Sequence, residues 1–143
     1  MIQDIKPIVT WSDDWVTGIK IIDDDHRHLV DLIQKLFHSM MTEKGTTFIR
    51  TIFVELINYT NTHFNREERM FKKYGFDELD RHKILHEQLV EQVLAKGKHI
   101  LNKGRQKDLS FELLDFFKDW LENHIIKEDL KFKTFLIKNN IQV

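Results

Sequence analysis

The sequence predicts an all-α protein, an up-down-up-down four-helix bundle preceded by an N-terminal arm. Three observations carry this reading. Helix breakers are scarce: five Gly and one Pro stand among 143 residues, about 4% against an average of about 12%. Four long segments repeat apolar residues every three or four positions, the period of a helix with one buried face. The links between them are short, about 3–8 residues, which makes consecutive helices antiparallel neighbours.

In chain order, residues 1–22 form the arm, with Trp11, Trp15 and Gly18. The first helix is expected over about 23–41, with a stripe of Leu29, Leu32, Ile33, Leu36, Phe37 and Met40. The second, about 47–74, carries Ile49, Ile52, Phe53, Leu56, Thr60, Met70 and Phe71. Gly75 follows, where a helix end favours a residue that tolerates positive φ. The third, about 78–102, has Leu79, Leu89, Val93 and Ile100; Gly104 ends it, and Gly97 weakens its last turns. The fourth, about 110–139, starts at the N-cap candidate Ser110 and carries Leu113, Phe117, Trp120, Leu121 and Phe132.

Composition narrows the function. The length suits a single domain over 1–143 with a core of its own. Lys plus Arg is 22 and Asp plus Glu 23, a near-neutral balance that argues against nucleic acid or an anionic membrane surface as partner. With no cysteine, disulfides, thiolate metal sites, iron–sulfur clusters and cysteine nucleophiles are excluded. No run is long and apolar enough to span a membrane, and the first residues do not read as a signal peptide, so a cytoplasmic location is expected.

The unusual component is histidine, with eight residues. His26, His63, His82, His86 and His124 fall in the apolar stripes, three, four or seven positions from core residues, and Glu67 lies one turn past His63 on the same face. His28, His38 and His99 fall on the opposite faces and read as solvated. A single inward histidine is ordinarily a hydrogen-bonded core residue. Five together with a carboxylate are a different matter, because every buried ring nitrogen needs a partner and a buried carboxylate costs several kcal/mol unpaired. Metal ions are the simplest compensation, and imidazole with carboxylate suits iron, zinc, copper or manganese. The zinc-protease motif is absent, since His82-Lys-Ile-Leu-His86 has no glutamate after its first histidine. Glu-x-x-His pairs, the mark of ferritin-like di-iron carboxylate proteins, are absent too.

The fourth helix leaves two acids open. Glu128, four residues past His124, shares its face in an ideal helix; Asp129, five past, is rotated by about 140°. Asp129 turns inward only if the stripe changes phase through a widened, π-type turn.

At this point the motifs are recognisable. Gly18-Ile19-Lys20-Ile21-Ile22-Asp23-Asp24-Asp25-His26, His63-Phe64-Asn65-Arg66-Glu67-Glu68, His82-x3-His86 and Trp120-Leu121-x2-His124-Ile125-x3-Asp129 together resemble the hemerythrin family, in particular its stand-alone bacterial members. The likeness runs from Trp11 to about Phe132. It implies a non-haem di-iron site that binds O2 reversibly. By this resemblance His82, His86 and His124 hold one iron, His26 and His63 hold the other with a position left open, and Glu67 and Asp129 bridge the pair. The resemblance thus selects Asp129 over Glu128. One departure is Asp25, where the family usually has glutamine beside the first ligand. Reversible binding needs a dry pocket, and Leu29, Phe64, Trp120, Leu121 and Ile125, neighbours of the ligands, are its expected walls. The implied role is O2 storage, delivery or sensing rather than enzymatic turnover. The alternatives for such a site are a di-iron enzyme acting on O2, peroxide or nitric oxide, and an iron-handling module.

Overall fold

The computed structural model describes residues 8–42, 45–103 and 115–143, and their side chains except at 46 and 99–103. It is all-helical. After a 3-10 turn at Asp13–Trp15 come α1 (Lys20–Met41), α2 (Thr46–Tyr74) and α3 (Leu79–Lys103). The last helix, α4, runs through residues 115–138. Its middle, Trp120–Ile126, is wound as a π-helix, and Lys127–Lys138 completes it. Among the described residues there is no strand and no helix long and apolar enough to cross a membrane.

The helix contacts fix the topology. Between α1 and α2, His28 meets Tyr59 and Asp25 meets His63. Between α2 and α3, Phe64 meets His86 and Phe71 meets His82. Between α3 and α4, Trp120 bonds the Leu89 carbonyl and Arg81 bonds Glu128. In each pair one number rises as the other falls, so successive helices are antiparallel, as the short links predicted.

The arm is shorter than expected, because α1 begins at Lys20 rather than near Asp23. The cause is Asp23 in the first turn. Its buried carboxylate accepts from Thr17 N (2.8 Å), Thr17 Oγ1 (2.7 Å) and Gly18 N (3.1 Å), which holds the incoming chain across the helix start. Anionic side chains there also offset the unpaired N–H groups of a helix N-terminus. Upstream, the Gln34 side-chain oxygen accepts from the backbone N–H groups of Ile8 and Val9, and the Arg27 guanidinium lies 4.4 Å over the Trp11 ring.

α2 ends as the sequence predicts. Gly75 takes φ 71°, Gly75 N bonds Lys72 O and Phe76 N bonds Phe71 O at 2.9 Å. That closes the six-to-one loop of a Schellman motif, and the Phe71 and Phe76 rings pack 5.0 Å apart over it. The expected stops and starts at Gly104 and Ser110, and the placement of the His99 side chain, lie outside the described residues.

Gly97 has a positive role that its helix propensity hides. A Cβ there would lie 2.4 Å from Phe53 Cε1, and Phe53 is buried against Phe117. The glycine lets α3 approach α2 closely enough to seat that ring. Gly97→Ala is therefore expected to lower stability by about 1–3 kcal/mol through overpacking, although alanine is the better helix former by about 1 kcal/mol. A chemical-denaturation midpoint at or above wild type would contradict this packing account.

Among the described residues the core has two apolar clusters. One gathers Leu29, Ile33, Leu56, Phe64, Leu89, Trp120 and Ile125 with their neighbours. The other is Ile19, Ile22, Phe71, Phe76, Phe132 and Leu136. Along every helix the residues between the clusters are polar and buried: Asp25 and His26 on α1, His63 and Glu67 on α2, His82 and His86 on α3, and Asp129 on α4. A layer of imidazole and carboxylate thus crosses the bundle between two dry cores.

Candidate metal centre

The polar layer is assembled one turn at a time. On α2, His63 and Glu67 are four residues apart and both 0–1% exposed; on α3, His82 and His86 repeat that spacing. α1 contributes His26, also fully buried. On α4 the π-helix decides which acid joins. Its extra residue per turn shifts the helix face, so Asp129 is buried while Glu128 is turned out to Arg81 and Lys131. The widened turn that the sequence required for Asp129 is present, spanning Trp120–Ile126.

The two carboxylates lie between two sets of histidines. Asp129 Oδ2 is 2.7 Å from His26 Nε2 and 3.3 Å from His63 Nε2, and its other oxygen is 3.8 Å from His82 Nε2. Glu67 Oε2 is 3.4 Å from His63 Nε2, and its Oε1 is 3.2 Å from His86 Nε2. Each carboxylate therefore offers one oxygen toward the His26–His63 side and the other toward the His82–His86 side. Potential ligand atoms of His26, His63, Glu67 and Asp129 all lie within 4.8 Å of one another.

The protonation energetics show what this layer lacks. Burial, reinforced by the neighbouring Asp129 charge, pushes Glu67 well above the usual carboxylate range. Burial also works against an ionised Asp129, but the neighbouring Glu67, His26 and His63 side chains outweigh it and hold that carboxyl well below the usual range. Burial lowers His82 and His86, which keeps their rings neutral and their lone pairs available. For His63, burial is outweighed by hydrogen bonds to Asp129 and Asp25, and its pKa rises. Both Glu67 oxygens, both His82 ring nitrogens and His26 Nδ1 are buried without a hydrogen-bond partner among the described residues. Buried polar atoms of this kind are costly and rare. Carboxylate oxygens and neutral imidazoles converging from four helices are the donors a transition-metal cation takes, so the residues present fit such an ion.

His124 departs from the inward placement expected of it. Its side chain is 41% exposed and its Nε2 lies 3.2 Å from Asp119 Oδ2. Across the π-wound turn Asp119 and His124, five apart, come together and pair at the surface, whereas Asp129, beyond the end of that turn, is buried. The structure thus brings six of the seven expected residues together and leaves His124 outside. Leu29, Phe64, Trp120, Leu121 and Ile125, the expected pocket walls, are all at most 3% exposed. Phe64 stacks on the His86 ring at 3.9 Å and 2°. His28 is half-buried against Tyr59 and His38 is also half-buried, so neither is fully solvated.

Two residues not singled out as site residues support the histidines from behind. Asp25 Oδ2 is 3.0 Å from His63 Nδ1, and Glu68 Oε2 is 2.8 Å from His86 Nδ1. Asp25 had a signal in its spacing, three after Ile22 and four before Leu29. Glu68 had none beyond its place next to Glu67.

Comparison with known proteins agrees with this geometry. Residues 17–136 match the family model described as the hemerythrin HHE cation-binding domain, which takes in all four helices of the polar layer. A bacteriohemerythrin of Pseudomonas paraeruginosa is 31% identical over 121 residues, covering 85% of this chain and 76% of that protein. A bacteriohemerythrin of Clostridium acetobutylicum is 29% identical over 125 residues, covering 85% and 96%. A myohemerythrin of Theromyzon tessulatum is 27% identical over 133 residues, covering 93% and 98%. With a bundle whose only buried polar layer among the described residues is built from these histidines and acids, and with that match over most of its length, the chain belongs to the hemerythrin family.

Proposed function

We propose that this protein binds O2 reversibly at a pair of non-haem iron ions, for storage, delivery or sensing, and that it is not an enzyme. The observation that carries the reading is the placement of Glu67 and Asp129, each with one oxygen toward either histidine set. This is what two adjacent cations sharing both carboxylates would use. In this reading His26 and His63 hold one ion, and His82, His86 and His124 hold the other. His124 joins by turning about its side-chain torsions away from Asp119, a motion its surface position permits. When bound, the two irons supply the electrons that let O2 be held and given back.

The chain's own residues do the rest. The three-to-two division of histidines reserves a place for O2 beside His26 and His63. Glu67 and Asp129 offset the charge of both ions, which ends the burial penalty that Glu67 carries alone. Leu29, Phe64, Trp120, Leu121 and Ile125 are proposed to line the O2 pocket. They bring no proton donor except the Trp120 indole, and that N–H is committed to the Leu89 carbonyl at 3.2 Å. An apolar, water-poor wall slows the protonation and hydration that would make O2 uptake irreversible.

The test is to load the protein with ferrous iron without oxygen and then admit O2. The expected result is a visible absorption band that forms with O2, fades when O2 is removed, and re-forms on a second cycle with the iron retained. Steady consumption of O2, peroxide or nitric oxide with added reductant would replace this reading by an enzymatic one. Loss of the iron to a mild chelator on each cycle would replace it by iron handling.

A further inference from the structure

Asp25 is a buried carboxylate next to the proposed ligands that the ligand set does not use. It is 2% exposed, on α1 beside His26, and it points away from the shared carboxylates. Its Oδ2 lies 3.0 Å from His63 Nδ1. Its Oδ1 accepts a 2.7 Å hydrogen bond from the Tyr59 hydroxyl and lies 3.5 Å from Arg66. Three groups on α2 thus hold one α1 carboxylate, so its burial is compensated on both oxygens.

We propose that Asp25 is a positioning residue for His63: it fixes the ring with the proton on Nδ1 and the lone pair on Nε2 toward the metal side, and its charge strengthens that nitrogen's hold on a cation. This rests on His63 being a metal ligand. A carboxylate can only accept, and a neutral ring has one N–H to give: Asp25 Oδ2 at 3.0 Å is the nearer acceptor, whereas Asp129 Oδ2 is 3.3 Å from Nε2 and already 2.7 Å from His26 Nε2, so in the neutral ring the proton sits on Nδ1. The opposite nitrogen, Nε2, is the one 3.3–3.4 Å from Asp129 and Glu67. The ring orientation and its donor atom are therefore set from behind, the arrangement by which carboxylates align ligating histidines and raise their basicity. Tyr59 and Arg66 act on Asp25 in turn, keeping its carboxylate from swinging toward the cluster. His86 has a similar partner in Glu68, but that side chain is 23% exposed and Asp25 only 3%. Water therefore screens the Glu68 charge more than that of Asp25. Among the described residues His26 Nδ1 and His82 Nδ1 have no such partner. Among the described histidines His63 is thus the one backed by a fully buried anion.

Two measurements test this. Nitrogen-15 NMR of the metal-free wild-type chain, at a pH where imidazole is neutral, should show His63 as the Nδ1–H tautomer with a strongly downfield ring proton. The Nε2–H tautomer would overturn the proposal. Asp25→Asn keeps the size and removes the charge; it should lose the fixed tautomer and bind ferrous iron about 10–100-fold more weakly, read by anaerobic competition with a chelator. Tyr59→Phe, which leaves Asp25 and His63 facing each other, should retain the wild-type tautomer and most of the affinity. Unchanged tautomer and affinity in Asp25→Asn would also overturn it. The tautomer is read on the wild-type chain, so a variant that fails to fold does not suspend the test. Wild-type protein that takes up no iron would sink the metal reading and the affinity half of this proposal, while the tautomer would still decide the orientation half.

Discussion

His63→Ala and His86→Ala are each expected to reduce iron content to fewer than two ions per chain while leaving the helices in place. Each imidazole presents Nε2 to Glu67, His63 at 3.4 Å to Oε2 and His86 at 3.2 Å to Oε1. The two substitutions therefore remove a donor from opposite sides of the same carboxylate. Neither alanine can replace it, and the cavity left behind is bordered by Phe64, which loses its 3.9 Å stack with His86 in one variant. Metal analysis beside a far-ultraviolet circular dichroism spectrum checks this. Full occupancy in both variants would contradict the ligand assignment. A marked loss of helix would point to a packing role for these rings instead. Wild-type protein stripped of metal should be less stable than the loaded form, because an ion bound to the native state adds its binding energy to folding.

Glu67→Gln is expected to separate stability from metal binding, with opposite signs. In the metal-free chain Glu67 is fully buried, with its pKa raised by burial and by Asp129. Well below the usual carboxylate range both folded and unfolded chains hold its proton, and the group costs nothing extra. As pH rises through that range the unfolded chain ionises first. The folded chain is then penalised increasingly until the raised folded pKa is reached. Glutamine has the same shape and no charge to bury. The metal-free variant should thus be more stable than wild type near neutral pH, by about 1–4 kcal/mol, and the difference should vanish near about pH 4. Loaded with iron, the order should reverse, since the variant has lost an anionic ligand. Denaturation midpoints for both chains, with and without iron, give all four values. A metal-free variant no more stable than wild type at neutral pH would show that Glu67 is already compensated within the chain.

Much of the centre could be read from sequence because its residues obey helix periodicity. His63 with Glu67, and His82 with His86, are one turn apart, and each lies three, four or seven residues from a core position; such residues have nowhere to point but inward once the stripe is buried. The arm boundary was missed by three residues because Asp23 acts through a capping network with Thr17 and Gly18, which apolar spacing does not encode. Gly97 read as a weakness in α3 because propensity concerns one helix, whereas its value lies in the Phe53 ring of another. His124 read as inward because Phe117 and Leu121 set a phase that the π-helix then changes.

By itself, then, the sequence determined that this chain makes four amphipathic helices and that His26, His63, Glu67, His82 and His86 sit on their buried faces, since both follow from rotation of about 100° per residue along a single helix. Resemblance to a family supplied Asp129 where periodicity left Glu128 open. Only the tertiary structure decided how that came about, through a π-wound Trp120–Ile126 that buries Asp129, releases Glu128 to Arg81 and sends His124 to Asp119. It also decided that Asp25 lies behind His63, within reach of Tyr59 and Arg66. Those choices depend on which neighbouring helix offers a cation, a ring or a carboxylate at a given height. Such pairings are made between segments far apart in the chain, and no spacing within one segment records them.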